Sequence, residues 1–351
     1  MKKNESYFKT QPYLQNRFDR VGRAMAFRAG TRREWQTWRR KLLRKLKELT
    51  GYDTMVKTDP RPRITEEVDL GDLIRQRLEL FTEPRVVLTA YVLIPKHVTP
   101  PCPVVITPHG HSSGGKYSVA GRHDIPGITD QIKRYNYDYG VQFAREGFIT
   151  ICPDARGFGE RLEEASGDDL MLNSCLWINQ MAYPLGQTVT GMWAWDIHRL
   201  IDYASSRDDC IASRIACAGL SGGGLQTLWA SALDTRIRSA VISGYMYGYK
   251  ESLLDQHTNC SCNYVPHLYE HVDMGDIAAL IAPRPLLIET GTRDNLNGSS
   301  GLKNVRSQVR IIRRAYRLLA APRMLSHDVF EGEHRWHGAK AIPWVKRHLG
   351  T

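Results

Sequence analysis

Apolar residues near the start of the chain recur at three- and four-residue steps. Thr31 and Glu34 have the spacing of a capping box, in which each side chain bonds the other's backbone amide. The pattern runs from there to Gly51, and its apolar members are Trp35, Trp38, Leu42, Leu46 and Leu49. This spacing predicts an amphipathic helix over 31–50 whose apolar stripe packs on the body of the protein or on a second subunit.

From about residue 64 the apolar period changes to two, as expected of strands. Residues 75–83 alternate and 86–94 form a β-branched run, which predicts antiparallel strands at the start of a sheet. Further strands are predicted at 104–107, 148–152, 215–219, 240–243, 286–290 and 324–330. Helices are predicted between them at 138–146, 192–205, 223–233, 275–281, 302–320 and 338–349. The alternation predicts an α/β fold with a mainly parallel central sheet and helices on both faces.

The length of 351 residues suits one large α/β unit. We therefore expect a catalytic domain over 61–351 and a basic helical N-terminal extension over 1–60.

The net charge of +11 is confined to the extension. Residues 1–50 hold 15 Lys or Arg against four acidic residues, which leaves 33 basic and 33 acidic residues in the rest. The apolar stripe of the predicted helix contains two Trp, which favours packing of this helix on the protein over binding of its basic face to an acidic surface. The sequence contains no base-stacking module that would indicate a nucleic-acid partner. We expect no nucleic-acid or membrane partner. No apolar run of about 18 residues and no signal-peptide core are present, which predicts a cytoplasmic protein.

The seven cysteines are scattered and odd in number, which argues against a disulfide scaffold. The segment Cys260-Ser261-Cys262 lacks a second pair at metal-ligand spacing. The sequence therefore predicts no metal and no cofactor.

The strongest local motif is Gly219-Leu220-Ser221-Gly222-Gly223, which lies between a predicted strand and a predicted helix. Gly-x-Ser-x-Gly in this context is typical of a nucleophile elbow, where a sharp turn exposes the serine and a β-carbon on either side would clash. A glycine-rich turn that contains a serine by chance would lack these flanks. Ser221 is the predicted nucleophile.

A serine hydroxyl needs a base to take its proton and an acid to orient that base. Asp294 follows the predicted strand at 286–290, at the sheet edge where parallel strands place their working loops. Asp273 and Asp276 are alternative acids, but they precede that strand and are placed to cap a helix.

The predicted base is His334, which follows the last predicted strand. His337 lies further along, and His327 falls within the strand, where a structural role is more common.

An oxyanion hole needs two preorganised N–H donors. One is expected from Gly222 and the other from His111, with Gly110 as the alternative, in the loop that follows the strand at 104–107. The pair His109 and His111 has no third ligand at metal-binding spacing. We expect His109 and Arg156 to bind substrate or to support these loops, and for Arg156 support is favoured.

At these residues the sequence resembles the acetyl xylan esterase-like and dienelactone hydrolase-like branch of the α/β-hydrolases. The resemblance covers about residues 64–349 and is carried by four stretches in order: 109–111, 154–159, 219–224 and 260–266. It implies an α/β-hydrolase fold and a serine carboxylesterase that acts, without a cofactor, on acyl groups carried by carbohydrates, acetyl foremost.

Other functions on this fold are a peptidase, a dienelactone hydrolase-like activity, and a catalytically silent binding module. Prolyl-oligopeptidase-type enzymes usually carry a β-propeller, for which this chain has no room, and an intact Ser, Asp and His argue against a silent module. The lack of a secretion signal favours small or imported sugar esters over an extracellular polymer. A homo-oligomer stays open.

Overall fold

A nine-stranded sheet runs through the molecule. The computed structural model describes residues 8–167, 169–256 and 259–350. The strands are β1 (Arg63–Asp69), β2 (Leu73–Glu83), β3 (Val86–Pro95), β4 (Cys102–Ile106), β5 (Ile149–Pro153), β6 (Cys210–Leu220), β7 (Ile237–Ser243), β8 (Leu286–Gly291) and β9 (Leu325–Phe330). Their order across the sheet is β1-β2-β3-β5-β4-β6-β7-β8-β9. The pairs β1-β2, β2-β3 and β3-β5 are antiparallel. The remaining pairs, from β5 across the sheet to β9, are parallel.

Helices cover both faces of the sheet, which confirms the predicted fold class. They are α1 (Thr10–Val21), α2 (Arg32–Thr50), α3 (Lys116–Val119), α4 (Ile128–Tyr135), α5 (Tyr139–Arg145), α6 (Cys175–Ala182), α7 (Val189–Ser206), α8 (Gly222–Leu233), α9 (Leu268–His271), α10 (Met274–Ala279), α11 (Leu302–Leu318) and α12 (Ala341–Leu349). No helix in this described part of the chain is both long enough and apolar enough to cross a bilayer.

Alternate residues of the central strands pack on opposite helical layers, because successive side chains of a strand point to opposite faces. Val241 and Leu287 belong to the cluster that contains residues of α5 and α12. Their neighbours Ala240 and Ile288 belong to the cluster that contains residues of α8, α10 and α11. Burial on both faces explains why these strands appear in the sequence as continuous apolar runs rather than as alternating ones.

The predicted N-terminal helix is α2, and it packs on α7 and α8 of the same chain. Thr31 and Glu34 form the predicted capping box, and Leu42 and Leu46 are fully buried. The Trp38 indole is half-buried and donates to the Met25 carbonyl at 2.8 Å. The apolar stripe therefore has its partner within the chain, whereas the division of the chain at residue 60 stays a prediction.

Candidate active site

Ser221 occupies a strained turn between β6 and α8. Its φ of 60° and ψ of −118° lie in a region that costs a non-glycine residue about 1–3 kcal/mol. Its amide donates to the Ser243 carbonyl at 2.9 Å, which fixes the turn to the next strand. A β-carbon on Gly223 would lie 2.1 Å from the Pro108 carbonyl oxygen, so no larger residue fits there. The predicted elbow geometry is therefore present.

Asp294 and His334 are hydrogen-bonded to each other. Asp294 follows β8, and its Oδ2 lies 2.7 Å from Nδ1 of His334 in the loop after β9. The other oxygen of Asp294 accepts from the Leu296 amide at 2.9 Å, so the carboxylate cannot rotate freely. The Asp294 side chain is buried and that of His334 is about one-fifth exposed, at 2% and 18%. An imidazole held in this way carries its proton on Nδ1 and presents Nε2 as a base.

Ser221 and His334 line one cavity of about 1300 Å³. Gly244 helps to bring them together: it follows Ser243, and a β-carbon on it would lie 2.9 Å from Cε1 of His334. Within the described residues no hydrogen bond joins the two side chains, and in ligand-free enzymes such a contact is often loose. The rest of the wall is rich in phenols and amides, among them Tyr135, Tyr137, Tyr245, Tyr247, Tyr264, Asn173, Asn259 and Asn263.

The alternative histidines have other partners. His337 bonds Asp328 at 2.7 Å and stacks on the Phe330 ring at 4.4 Å. His327 contacts the Thr290 hydroxyl at 3.1 Å, and burial lowers its pKa to about 4. Neither lines the cavity.

The alternative acids are structural. Asp273 and Asp276 form the capping box of α10. Asp276 is also buried against Arg23 at 2.9 Å and accepts from the Phe27 amide at 2.8 Å. Both carboxylates therefore serve the helix end and the N-terminal segment, as their sequence positions suggest.

The loop after β4 lies directly over the elbow. A β-carbon on Gly110 would lie 3.1 Å from Cβ of Ser221, and one on Gly222 would lie 2.8 Å from Nδ1 of His111. Tyr137 donates to the His111 carbonyl at 2.9 Å, which holds the loop from the other side. Among the described residues the His111 amide has no backbone acceptor, and Gly222 is the first residue of α8, where the amides have no acceptor within the helix. Both amides are thus free to serve as oxyanion donors.

His109 and Arg156 lie outside the cavity wall and hold loops. Nε2 of His109 accepts from the Ala155 amide at 3.1 Å, and burial lowers the pKa of His109 to about 4. Arg156 bonds Glu83 at 2.8 Å and Asp196 at 2.9 Å. This placement favours the loop-supporting role for both residues.

A buried ion pair, absent from the sequence predictions, anchors the far end of the same loop. The Lys116 ammonium contacts Asp154 and, at 2.6 Å, Glu160. Asp154 also accepts from the Lys116 amide at 2.9 Å and from the Thr89 hydroxyl at 2.8 Å. Lys116 has no exposed side-chain surface, and a single lysine in a glycine-rich loop carries no sequence signal of such burial.

Three cysteines and a histidine lie together beside the cavity, and two of them, His111 and Cys260, line its wall. The ligand-type atoms of His111, Cys175, Cys260 and Cys262 all lie within 4.8 Å of one another. The spacing of Cys260 and Cys262 along the chain could not show that the fold brings His111 and Cys175 to them.

The strand order, the elbow after β6 and the acid and base after β8 and β9 define the class: this is an α/β-hydrolase fold. Residues 2–343 match the Abhydrolase family, and the chain belongs to that family. A curated relative is YtaP of Bacillus subtilis (strain 168), named as a hydrolase, which is 30% identical over 224 residues, or 63% of this chain and 70% of that protein.

Solved structures share the fold at low sequence identity. A Bacteroides fragilis NCTC 9343 protein described as an acetyl xylan esterase superposes with a TM-score of 0.80 at 16% identity, covering 99% of this chain and 97% of that one. A glucuronoyl esterase from Solibacter usitatus gives 0.68 at 15% identity, covering 93% and 97%. An acetyl xylan esterase from Paenibacillus sp. R4 gives 0.58 at 17% identity, covering 96% and 99%.

Proposed function

We propose that the protein is a serine carboxylesterase in which Ser221 is the nucleophile, His334 the general base and Asp294 the residue that orients it. The observation that carries the proposal is the 2.7 Å bond between Asp294 and His334 on the wall of the cavity that also contains the strained Ser221. An unused serine would gain nothing from a backbone conformation of this cost.

In the proposed reaction His334 takes the Ser221 proton as the hydroxyl oxygen attacks the ester carbonyl. The amides of Gly222 and His111 donate hydrogen bonds to the oxyanion that forms. Each such donor typically stabilises the transition state by about 2.7–4 kcal/mol. His334 then returns the proton to the departing alcohol, which leaves an acyl-Ser221. Water, deprotonated by the same histidine, releases the acid and restores the serine.

The proposed substrates are acyl esters of carbohydrates, with acetyl as the acyl group. The cavity wall offers phenol and amide groups, which bind sugar hydroxyls and stack on sugar rings. The structural neighbours include enzymes named for acetyl xylan and for glucuronoyl esters. A substrate screen should therefore vary both the acyl group and the alcohol of the ester.

The test is covalent labelling followed by a substrate screen. A fluorophosphonate probe should label the wild-type protein and not Ser221→Ala, while Ser112→Ala, a second serine on the cavity wall, should still be labelled. Hydrolysis of p-nitrophenyl esters of increasing chain length, acetylated xylo-oligosaccharides and a glucuronoyl ester should fall by on the order of 10⁴ to 10⁶-fold in Ser221→Ala and in His334→Ala. Equal labelling of wild type and Ser221→Ala would refute the nucleophile, and a mild defect in His334→Ala would refute the base.

A further inference from the structure

We propose that His111, Cys175, Cys260 and Cys262 bind one zinc ion, in a site that the sequence analysis did not predict. The four residues come from three separate parts of the chain: the loop after β4, the first residue of α6, and the segment that precedes α9. Their ligand atoms converge to within 4.8 Å of one another. Three thiolates and one imidazole form one of the common ligand sets of structural zinc.

The distances between the ligand atoms approach those around a tetrahedral ion. Zn–S bonds of about 2.3 Å and a Zn–N bond of about 2.05 Å place the sulfurs about 3.8 Å apart and the nitrogen about 3.6 Å from each sulfur. Nε2 of His111 lies 3.4 Å from Sγ of Cys262. The other pairs of ligand atoms lie within 4.8 Å, so each needs to close by at most about 1 Å to reach these separations.

Two of the four ligands are buried in the apolar core, and His111 and Cys260 border the cavity. Cys175 and Cys262 are fully buried and belong to the main apolar cluster, and the Phe158 ring packs edge-on against His111 at 5.1 Å. The Asn263 amide lies 3.7 Å from Sγ of Cys262 and donates to the Cys260 carbonyl at 3.0 Å. A metal would replace the thiol proton of Cys260, for which Oδ1 of Asn173 at 3.3 Å is the present acceptor.

Four protein ligands leave no position for water, so the zinc would be structural and not a Lewis acid for the ester. Coordination through Nε2 of His111 keeps the proton on Nδ1, the nitrogen that faces Gly222. The zinc would thereby fix the loop whose His111 amide is the proposed oxyanion donor. This positioning role rests on the proposed function, whereas the metal site itself does not.

Zinc content is the first measurement, on the full chain purified under thiol reductant and without chelator. Elemental analysis should find one zinc per chain in the wild type and in Ser221→Ala, and none in Cys262→Ser. The matched control is Cys217→Ser, a fully buried thiol outside the cluster with the Thr227 hydroxyl at 3.4 Å, which should retain the metal.

Two measurements on the wild type do not depend on whether a cysteine variant folds. Replacement of zinc by Co²⁺ should give a thiolate-to-cobalt charge-transfer band and the intense visible bands of a tetrahedral ion. Removal of the metal by phenanthroline should make the thiol of Cys260, which lines the cavity, reactive toward a maleimide in the folded protein, and should make Cys175 and Cys262 reactive only after unfolding. A metal-free protein with a disulfide within the cluster, or free thiols that do not bind Co²⁺, would overturn the site.

Steady-state kinetics test the positioning role. Removal of zinc should lower kcat by about 10- to 100-fold, the usual effect of disturbing the supports of a site, with a smaller change in KM. An unchanged kcat in the metal-free enzyme would overturn the role. Zinc without esterase activity would refute the proposed function alone, and esterase activity without zinc would refute the metal site alone.

Discussion

Glu289 should make the protein less stable as the pH rises. It lies in β8 with its side chain buried, and Oε1 accepts from the Gly338 amide at 3.0 Å. Oε2 is buried and lies outside hydrogen-bond geometry with any described residue, although the nearby Ser243 hydroxyl partly offsets the cost of its burial. Burial raises the pKa of Glu289 from 4.5 to about 7. The folded protein therefore binds a proton on this carboxyl more tightly than the unfolded chain does.

The difference between these two pKa values corresponds to about 3 kcal/mol, since each tenfold change in proton affinity is worth 1.36 kcal/mol. The carboxylate form is the costly one, so the free energy of unfolding should fall as the pH rises from about 4.5 to 7 and then level off. Glu289→Gln removes the charge and keeps an acceptor for the Gly338 amide.

The assay is urea unfolding of wild type and Glu289→Gln between pH 4.5 and 9. The variant should gain stability with rising pH, by up to about 3 kcal/mol above pH 7, and the gain should shrink toward zero near pH 4.5. Glu146→Gln is the control, because Glu146 is exposed and pairs with Lys346 at the surface, and its difference from wild type should stay small. A Glu289→Gln difference that is constant with pH, or a variant less stable than wild type at pH 8, would refute the reasoning.

Three further changes test other contacts of the structure. Asp294→Asn should lower kcat by about 10⁴-fold with the fold intact, since His334 would lose its orienting acceptor. Esterase kinetics measure the loss, and circular dichroism checks the fold. The control Asp273→Asn should lower stability and leave kcat unchanged. Lys116→Met should cost about 3–5 kcal/mol of unfolding free energy in urea at pH 7, because Asp154 would be left buried without its cation; a cost below 1 kcal/mol would contradict this. Leu46→Ala should lower the free energy of unfolding by about 2–5 kcal/mol, whereas Arg40→Gln on the exposed face of α2 should change it by no more than about 0.5 kcal/mol in the same assay. Similar losses in both variants would contradict packing as the source of α2's stability.

The sequence predicts the elbow and the acid and base positions because each depends on local order. Ser221 is marked by its own flanking glycines, and Asp294 and His334 by their place after particular strands. The sequence alone separates His334 from His337 poorly, because they follow β9 by only four and seven residues. Only the contacts separate them: His337 bonds Asp328 outside the cavity, whereas His334 bonds Asp294 on its wall.

The cysteine cluster and α6 could not be predicted from local pattern. Helix α6 begins at Cys175, and its apolar residues Leu176, Trp177 and Met181 are more than half exposed. Because apolar residues occupy its exposed positions, the sequence lacks the alternation of polar and apolar residues that indicates a helix. Spacing rules for metal sites rely on ligands that are close in sequence, and Cys175 lies 85 positions before Cys260. The sequence therefore supports only the Cys260 and Cys262 pair, and tertiary packing supplies the rest.

The loop from Pro108 to Lys116 is held by contacts of three different kinds along its length. His109 bonds the Ala155 amide, Lys116 pairs with Asp154, and His111 lies in the cysteine cluster. The first two contacts tie the loop to the end of β5, and the third ties it to α6 and the segment before α9. An oxyanion donor is useful only if it is already in place when charge develops, because reorganisation at that moment would raise the barrier. Loss of any one anchor should therefore weaken the proposed contact of the His111 amide with the transition state more than it weakens substrate binding. The expected result is a larger decrease in kcat than increase in KM.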